Sequence, residues 1–159
     1  MPKSSRTSAG LLMFRRKEDS LEFLLVHPGG PFWKNKDAGA WTIPKGEAQI
    51  GEDLMRRAEI EFEEEVGIKP DGGNRITLGA ITQKGGKTVH AWAFESDLPQ
   101  SFALKSNRFQ LEWPPHSGKF SEFPEVDRAE FFPFEVARDK INPAQIPFLE
   151  RLRDLLATK

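Results

Sequence analysis

Apolar positions along this chain form several short runs suited to strands and two longer stretches at helical spacing. Residues 9–14 and 21–27 are apolar runs on either side of the charged bend RRKEDS, which predicts a β-hairpin. Residues 41–44 read as a short strand leading into Lys45 and Gly46. Residues 76–82 and 88–94 alternate around KGGK and predict a second hairpin, and 129–132 predict a further strand. Met55, Ala58, Phe62 and Val66 recur at three- and four-residue intervals. That stripe predicts a helix from about Gly51 to Val66, buried along it and stopped by Gly67. Residues 134–139 suit a short helix. The run Asn142-Pro143-Ala144-Gln145 then offers an N-cap, a proline at the first helical position and a capping-box glutamine. Ile146, Leu149, Leu152, Leu155 and Leu156 follow, so a last helix should cover one face of the sheet.

Two segments lack such a period. HPGGPFWKNKDAGAW, rich in Gly and Pro and bearing Phe32, Trp33 and Trp41, reads as a loop of the kind that meets ligands. Residues 101–126 are aromatic and proline-bearing, and are expected to be irregular, as a lid or wall. Residues 1–7 are polar and expected to form a flexible tail ahead of one domain over 8–159, with no internal repeat. Strands before, between and after the helices predict a three-layer α/β/α sandwich on a mixed sheet.

Composition narrows the chemistry. Lys plus Arg, 23, nearly balance Asp plus Glu, 24, so no global basic field recruits nucleic acid. A phosphate-rich ligand would have to be met by local cations. There is no cysteine, which excludes disulfides, thiolate metal sites and cysteine nucleophiles. No apolar run approaches the length of a membrane span, and the first apolar stretch is too short for a signal peptide; a cytoplasmic protein is expected. His27, His90 and His116 are scattered without ligand spacing.

The decisive segment is GEAQIGEDLMRRAEIEFEEEVGI, residues 46–68. Glu61, Glu64 and Glu65 share one face of a helix, where like charges weaken it by a few tenths of a kcal/mol per pair. A hard divalent cation with oxygen ligands offsets that repulsion best.

The segment resembles the signature of the Nudix hydrolases: Gly, five residues, Glu, seven residues, then Arg-Glu-apolar-any-Glu-Glu-any-Gly-apolar. Gly46, Glu52, Glu61, Phe62, Glu64, Glu65, Gly67 and Ile68 fit eight of its nine fixed positions, and Ile60 stands where the family carries Arg. Arg56 and Arg57 lie one turn earlier, and Arg57, four residues before Glu61, is the better placed to supply the missing charge. The resemblance implies a Nudix-type α/β/α fold and hydrolysis of a phosphoanhydride in a nucleoside diphosphate linked to another moiety. It also implies Mg²⁺ or Mn²⁺ on Glu61, Glu64 and Glu65, helped by a main-chain carbonyl at Lys45 or Gly46. Glu52 is expected to brace the loop against the helix. Glu125 stands just before a strand, where relatives place a further ligand or base. The run WTIPKG resembles the loop of members that cleave diadenosine polyphosphates or diphosphoinositol phosphates, which makes Lys45 a phosphate-facing candidate and Lys87 a second. Trp33, Trp41 and Trp113 are candidates to stack on a base, with packing the expected role of at least one. A diadenosine polyphosphate is the favoured substrate. The alternatives are an ADP-ribose or nucleoside triphosphate pyrophosphatase, and a catalytically weak domain that binds nucleotide.

Overall fold

The computed structural model describes residues 6–157. Its framework is a hairpin of β1 (Thr7–Lys17) and β2 (Ser20–Pro28), in register Phe14 opposite Phe23. Glu18 and Asp19 turn the corner, both at positive φ, as a two-residue hairpin loop requires. Asp tolerates that backbone region better than most residues. β1 takes in the last residue of the stretch expected to be a flexible tail: Thr7 pairs with Thr88, and residues 1–5 lie outside the described part.

β4 (Ile76–Gln83) and β5 (Lys87–Glu95) form the second hairpin, and β5 runs parallel to β1. With β8 (Val126–Pro133) on β2, the strand order is β4-β5-β1-β2-β8, a mixed sheet as expected. β2 pairs only with the far end of β1. The near end, Ser8–Gly10, is taken by β3 (Lys45–Glu47). Trp41 and Thr42 make only isolated bridges, so the expected strand at 41–44 starts later, at Lys45.

β1 is buried on both faces, and its apolar run is therefore continuous instead of alternating. Leu11 and Met13 point to one layer, where α1 (Leu54–Val66) lays Ala58, Phe62 and Val66 against Val26 and Phe94. Leu12 and Phe14 point to the other, against α2 (Phe134–Lys140), a 3-10 turn (Pro143–Gln145) and α3 (Ile146–Ala157), which contributes Phe148, Leu149 and Leu152. The result is helix on sheet on helix. No described helix is long and apolar enough to cross a membrane.

Four details depart from the sequence reading. α1 starts at Leu54, not Gly51, because the Asp53 carboxylate accepts from the Met55 N–H (3.2 Å) and caps the helix there. Met55 is consequently turned outward, and Leu54 packs in its place. Gln145 is no capping-box partner: fully buried, it accepts from the Ile43 N–H (3.0 Å) and bonds Thr42 and Gln83, while Asn142 caps the turn alone. Residues 101–126 are not wholly irregular, for β6 (Arg108–Glu112) and β7 (Phe120–Pro124) pair as a separate antiparallel ribbon.

Candidate active site

α1 brings the three signature glutamates to the end of the sheet where β3 leaves β1. Its C-terminus is fixed by Gly67, at φ 97°, whose N–H donates to the Glu63 carbonyl (2.8 Å). A Cβ at this position would meet the main chain of Lys105 at 2.6 Å, so glycine is required for both conformation and space. Gly46 is required by space alone: the Glu61 side chain lies directly over it.

Arg57 lies between two of the signature glutamates. Its guanidinium bonds Glu52 (2.7 and 2.8 Å) and Glu61 (3.0 Å), spanning the loop before α1 and the helix itself. Glu52 in turn accepts from the Gln49 N–H (3.0 Å), tying the loop to the helix. The bond to Arg57 is the main influence holding the Glu52 carboxyl below its usual range. Ile60 lines a surface groove with Arg56, Glu59, Glu63 and Lys69, on a different side of the helix.

Glu65 is the buried member of the cluster, 9% exposed. Desolvation pushes its carboxyl up to about 8, with repulsion from Glu61 and Glu125 adding to it. The Lys45 ammonium and main-chain N–H act in the opposite direction. Lys45 is half-buried, and desolvation lowers its ammonium, as does the nearby Lys87; Glu65, Glu61 and Glu47 oppose the shift. Glu61 is raised by burial and by Glu64 and Glu125, against the Arg57 bond. Glu125 is raised by burial and by Glu64. Four carboxylates and Lys45 thus share one electrostatic neighbourhood. Lys87 stands at its rim, 4.0 Å from Glu47.

Glu125 reaches this neighbourhood through a relay that sequence reasoning missed. The Asn107 N–H donates to the Glu64 carbonyl (2.9 Å), and the Asn107 carbonyl accepts from the Glu125 N–H (2.8 Å). The Glu125 carbonyl accepts from Gly29 (2.9 Å), while Ser106 Oγ accepts from the Val126 N–H (3.0 Å) and donates to Asn107 (3.0 Å). Apart from those of the Ser106 hydroxyl, these are main-chain bonds between distant segments, and no local pattern announces them.

The tryptophans separate. Trp41 is 1% exposed, packed edge-on against Phe132 and His27, with its N–H donated to Asp37 (2.7 Å). It belongs to the core and is not free to stack on a ligand, which corrects the sequence expectation. Trp33 is 39% exposed on its loop, with the Lys36 ammonium 5.2 Å from its ring centre. Trp113 meets Phe32 edge-on at 5.4 Å.

The model of the NUDIX domain matches residues 4–152. The chain belongs to the Nudix family of pyrophosphohydrolases. Among solved structures it is similar to a C. elegans Ap4A hydrolase in a binary complex, at 24% identity over 97% of this chain and 99% of that one, TM-score 0.68. It is similar too to the NUDIX domain of Shewanella oneidensis NrtR complexed with ADP ribose, at 15% identity, 98% and 90% coverage and TM-score 0.65. A third is the Nudix hydrolase RenU of M. smegmatis, at 18% identity, 97% and 87% coverage and TM-score 0.63. At such identities these likenesses speak to the fold. No curated protein matches the sequence significantly.

Among the described residues no three acidic or histidine side chains are already gathered at ligand spacing: Glu61 is held by Arg57, and Glu65 lies beside Lys45. The chemistry of the donor set nonetheless fits a hard cation. Carboxylates that raise one another's pKa gain from a positive charge placed among them, and oxygen is the ligand such ions prefer.

Proposed function

We propose that this Nudix protein is a divalent-metal-dependent hydrolase of a nucleoside diphosphate linked to another moiety, with a diadenosine polyphosphate as the favoured substrate. The observation that carries the reading is the convergence of Glu61, Glu64, Glu65 and Glu125 on one another beside Lys45. Glu61, Glu64 and Glu65 would hold Mg²⁺ or Mn²⁺, with a carbonyl of Lys45 or Gly46. When bound, such an ion neutralises phosphate charge and acidifies water.

The chain's own groups supply the rest. Lys45, desolvated and backed by Glu47, Glu61 and Glu65, presents a single cation to a phosphate oxygen, with Lys87 next to it. Arg57 holds the Glu61 carboxylate in one orientation, and Glu52 holds Arg57. Glu125, with its carboxyl raised by burial and by Glu64, is the candidate to take a proton from attacking water. Hydrolysis of this kind rests on positioning and electrostatics more than on covalent chemistry.

Two similarities favour a substrate with a nucleotide end: one similar structure is an Ap4A hydrolase and another is complexed with ADP ribose. Dinucleoside polyphosphates are therefore ranked first, ADP-ribose and nucleoside triphosphates second, and inositol pyrophosphates, which call for a denser basic patch, third. The test is product release from that panel with Mg²⁺, with Mn²⁺ and with EDTA. Metal-dependent cleavage with the highest kcat/KM on a dinucleoside polyphosphate is the expected result. Binding without cleavage of any member would leave a nucleotide-binding domain instead.

A further inference from the structure

The 3-10 turn ahead of α3 sends one polar side chain inward. Ala144 and Ile146 pack on the apolar cluster that holds Ile43, Ile81 and Val89, and between them Gln145 is fully buried. An amide buried in such a place costs free energy unless its groups are partnered. All of them are: Oε1 accepts from the Ile43 N–H (3.0 Å), and Nε2 donates to Thr42 Oγ (2.9 Å) and Gln83 Oε1 (3.0 Å). A fully satisfied buried network fixes one arrangement of the segments it joins.

The segments joined here carry the two lysines of the site. Thr42 and Ile43 lead to Lys45 through Pro44, whose carbonyl accepts from the Leu11 N–H (3.0 Å). Gln83 stands opposite Lys87 across the β4–β5 hairpin. β3 and β5 flank the same end of β1, with Lys45 opposite Gly10, and Thr88, next to Lys87, opposite Thr7. The two ammoniums repel each other, and Glu47, 60% exposed and 4.0 Å from Lys87, offsets that only in part. Like charges held together on two separate strands need bracing, and two cations at a set spacing match consecutive phosphates.

An apolar side chain in place of Gln145 would fill the layer but bind neither segment. Resting on the hydrolase reading above, we propose that Gln145 is a positioning residue: from the helix layer opposite α1 it sets the spacing of Lys45 and Lys87, and with it their grip on consecutive phosphates.

The test ligand is α,β-methylene-ADP, whose CH₂ bridge prevents hydrolysis, so affinity is read without turnover. Calorimetric titration of the full chain with Mg²⁺ present should show Gln83→Met weakening the complex roughly tenfold, and Gln145→Met at least as much. Gln145→Met leaves the buried Ile43 N–H unpaired and puts the fold at stake. Half-buried Gln83, at the end of β4, is the safer variant, and melting temperatures show which proteins are folded. A double-mutant cycle supplies the readout that a purely structural role would not move. With Lys87→Met already in place, Gln83→Met should change affinity by less than about twofold, because the group it positions is gone. An additive cycle, or unchanged affinity in a folded Gln83→Met variant, overturns the positioning role even if the protein cleaves dinucleoside polyphosphates. Coupling in a protein that cleaves no phosphoanhydride leaves the positioning role standing and removes the hydrolase reading alone. A wild type that does not bind the ligand overturns both.

Discussion

At the scale of single residues, Glu65 and Arg57 carry the argument. Glu65 is a carboxyl raised from 4.5 to about 8 by burial in an otherwise well-packed helix face. The folded protein holds that proton more tightly than the unfolded chain does. Its contribution to stability is therefore present below pH 4.5 and is lost as pH rises toward 8. The metal-free protein should melt at progressively lower temperature across that interval, and Glu65→Gln should flatten the trend; thermal scans at several pH values check this. A cation bound by Glu65 would displace the proton, so metal affinity should increase with pH up to about 8 and binding should release protons, seen as buffer-dependent heats. Arg57 makes the opposite case, a group whose charge never changes but whose position does the work. Arg57→Ala removes ion pairs that are 12–21% exposed, so its stability cost should be of order 1 kcal/mol, whereas loss of an outer-shell partner to a ligand lowers activity about 10–100-fold. A fall in kcat with little change in melting temperature is expected. Ile60→Arg should fold normally, because position 60 faces a surface groove with Glu59 and Glu63 at hand, and its activity should equal or exceed that of the wild type. Loss of folding in that variant would remove the reason for regarding Arg57 as a replacement.

At the scale of elements, what the sequence disclosed was whatever local physics determines. Two hairpins, β8 and the amphipathic stripes of α1 and α3 follow from periodicity and turn residues, and the structure has them. The glutamate box was legible for the same reason, since a helix alone puts Glu61, Glu64 and Glu65 on one side. Trp41 was misread because a Gly- and Pro-rich loop looks exposed in one dimension. Its bond to Asp37 and its packing under Phe132 exist only after the chain has folded back. The β6–β7 ribbon was hidden by the prolines and aromatics around it, and Gln145 by a local capping pattern that a long-range demand from Ile43 overrode. The Ser106–Asn107 strap was illegible altogether, since apart from the Ser106 hydroxyl its bonds run through main-chain atoms of distant segments. Two substitutions weigh such elements. Gly67→Ala forces an unfavourable positive φ and a clash with Lys105, and should destabilise by roughly 1–3 kcal/mol. Ser106→Ala strands the Val126 N–H and should cost about 1–2 kcal/mol in denaturant unfolding. It should also lower kcat further than Gly67→Ala does at matched stability, because that strap carries Glu125.

At the scale of the whole molecule, the two helix layers leave the glutamates at the end of the sheet with their repulsion only partly offset by Lys45 and Arg57. A cation bound among them would offset the remainder, and ligand linkage makes that measurable without any substrate. At a metal concentration one hundred times its dissociation constant, binding to the folded state alone adds about 2.7 kcal/mol. For a chain of 159 residues this corresponds to a rise in melting temperature of roughly 5–10 °C. Mg²⁺ or Mn²⁺ should produce that rise in wild type, and EDTA should reverse it. Glu65→Gln should show a higher melting temperature than wild type without metal above neutral pH and little further gain with it. The two halves of that result are linked: the residue that costs the metal-free fold most is the one through which the ion should stabilise it. A Glu65→Gln protein that gained as much from Mg²⁺ as the wild type would detach Glu65 from the metal and leave its burial beside Lys45 as a structural matter.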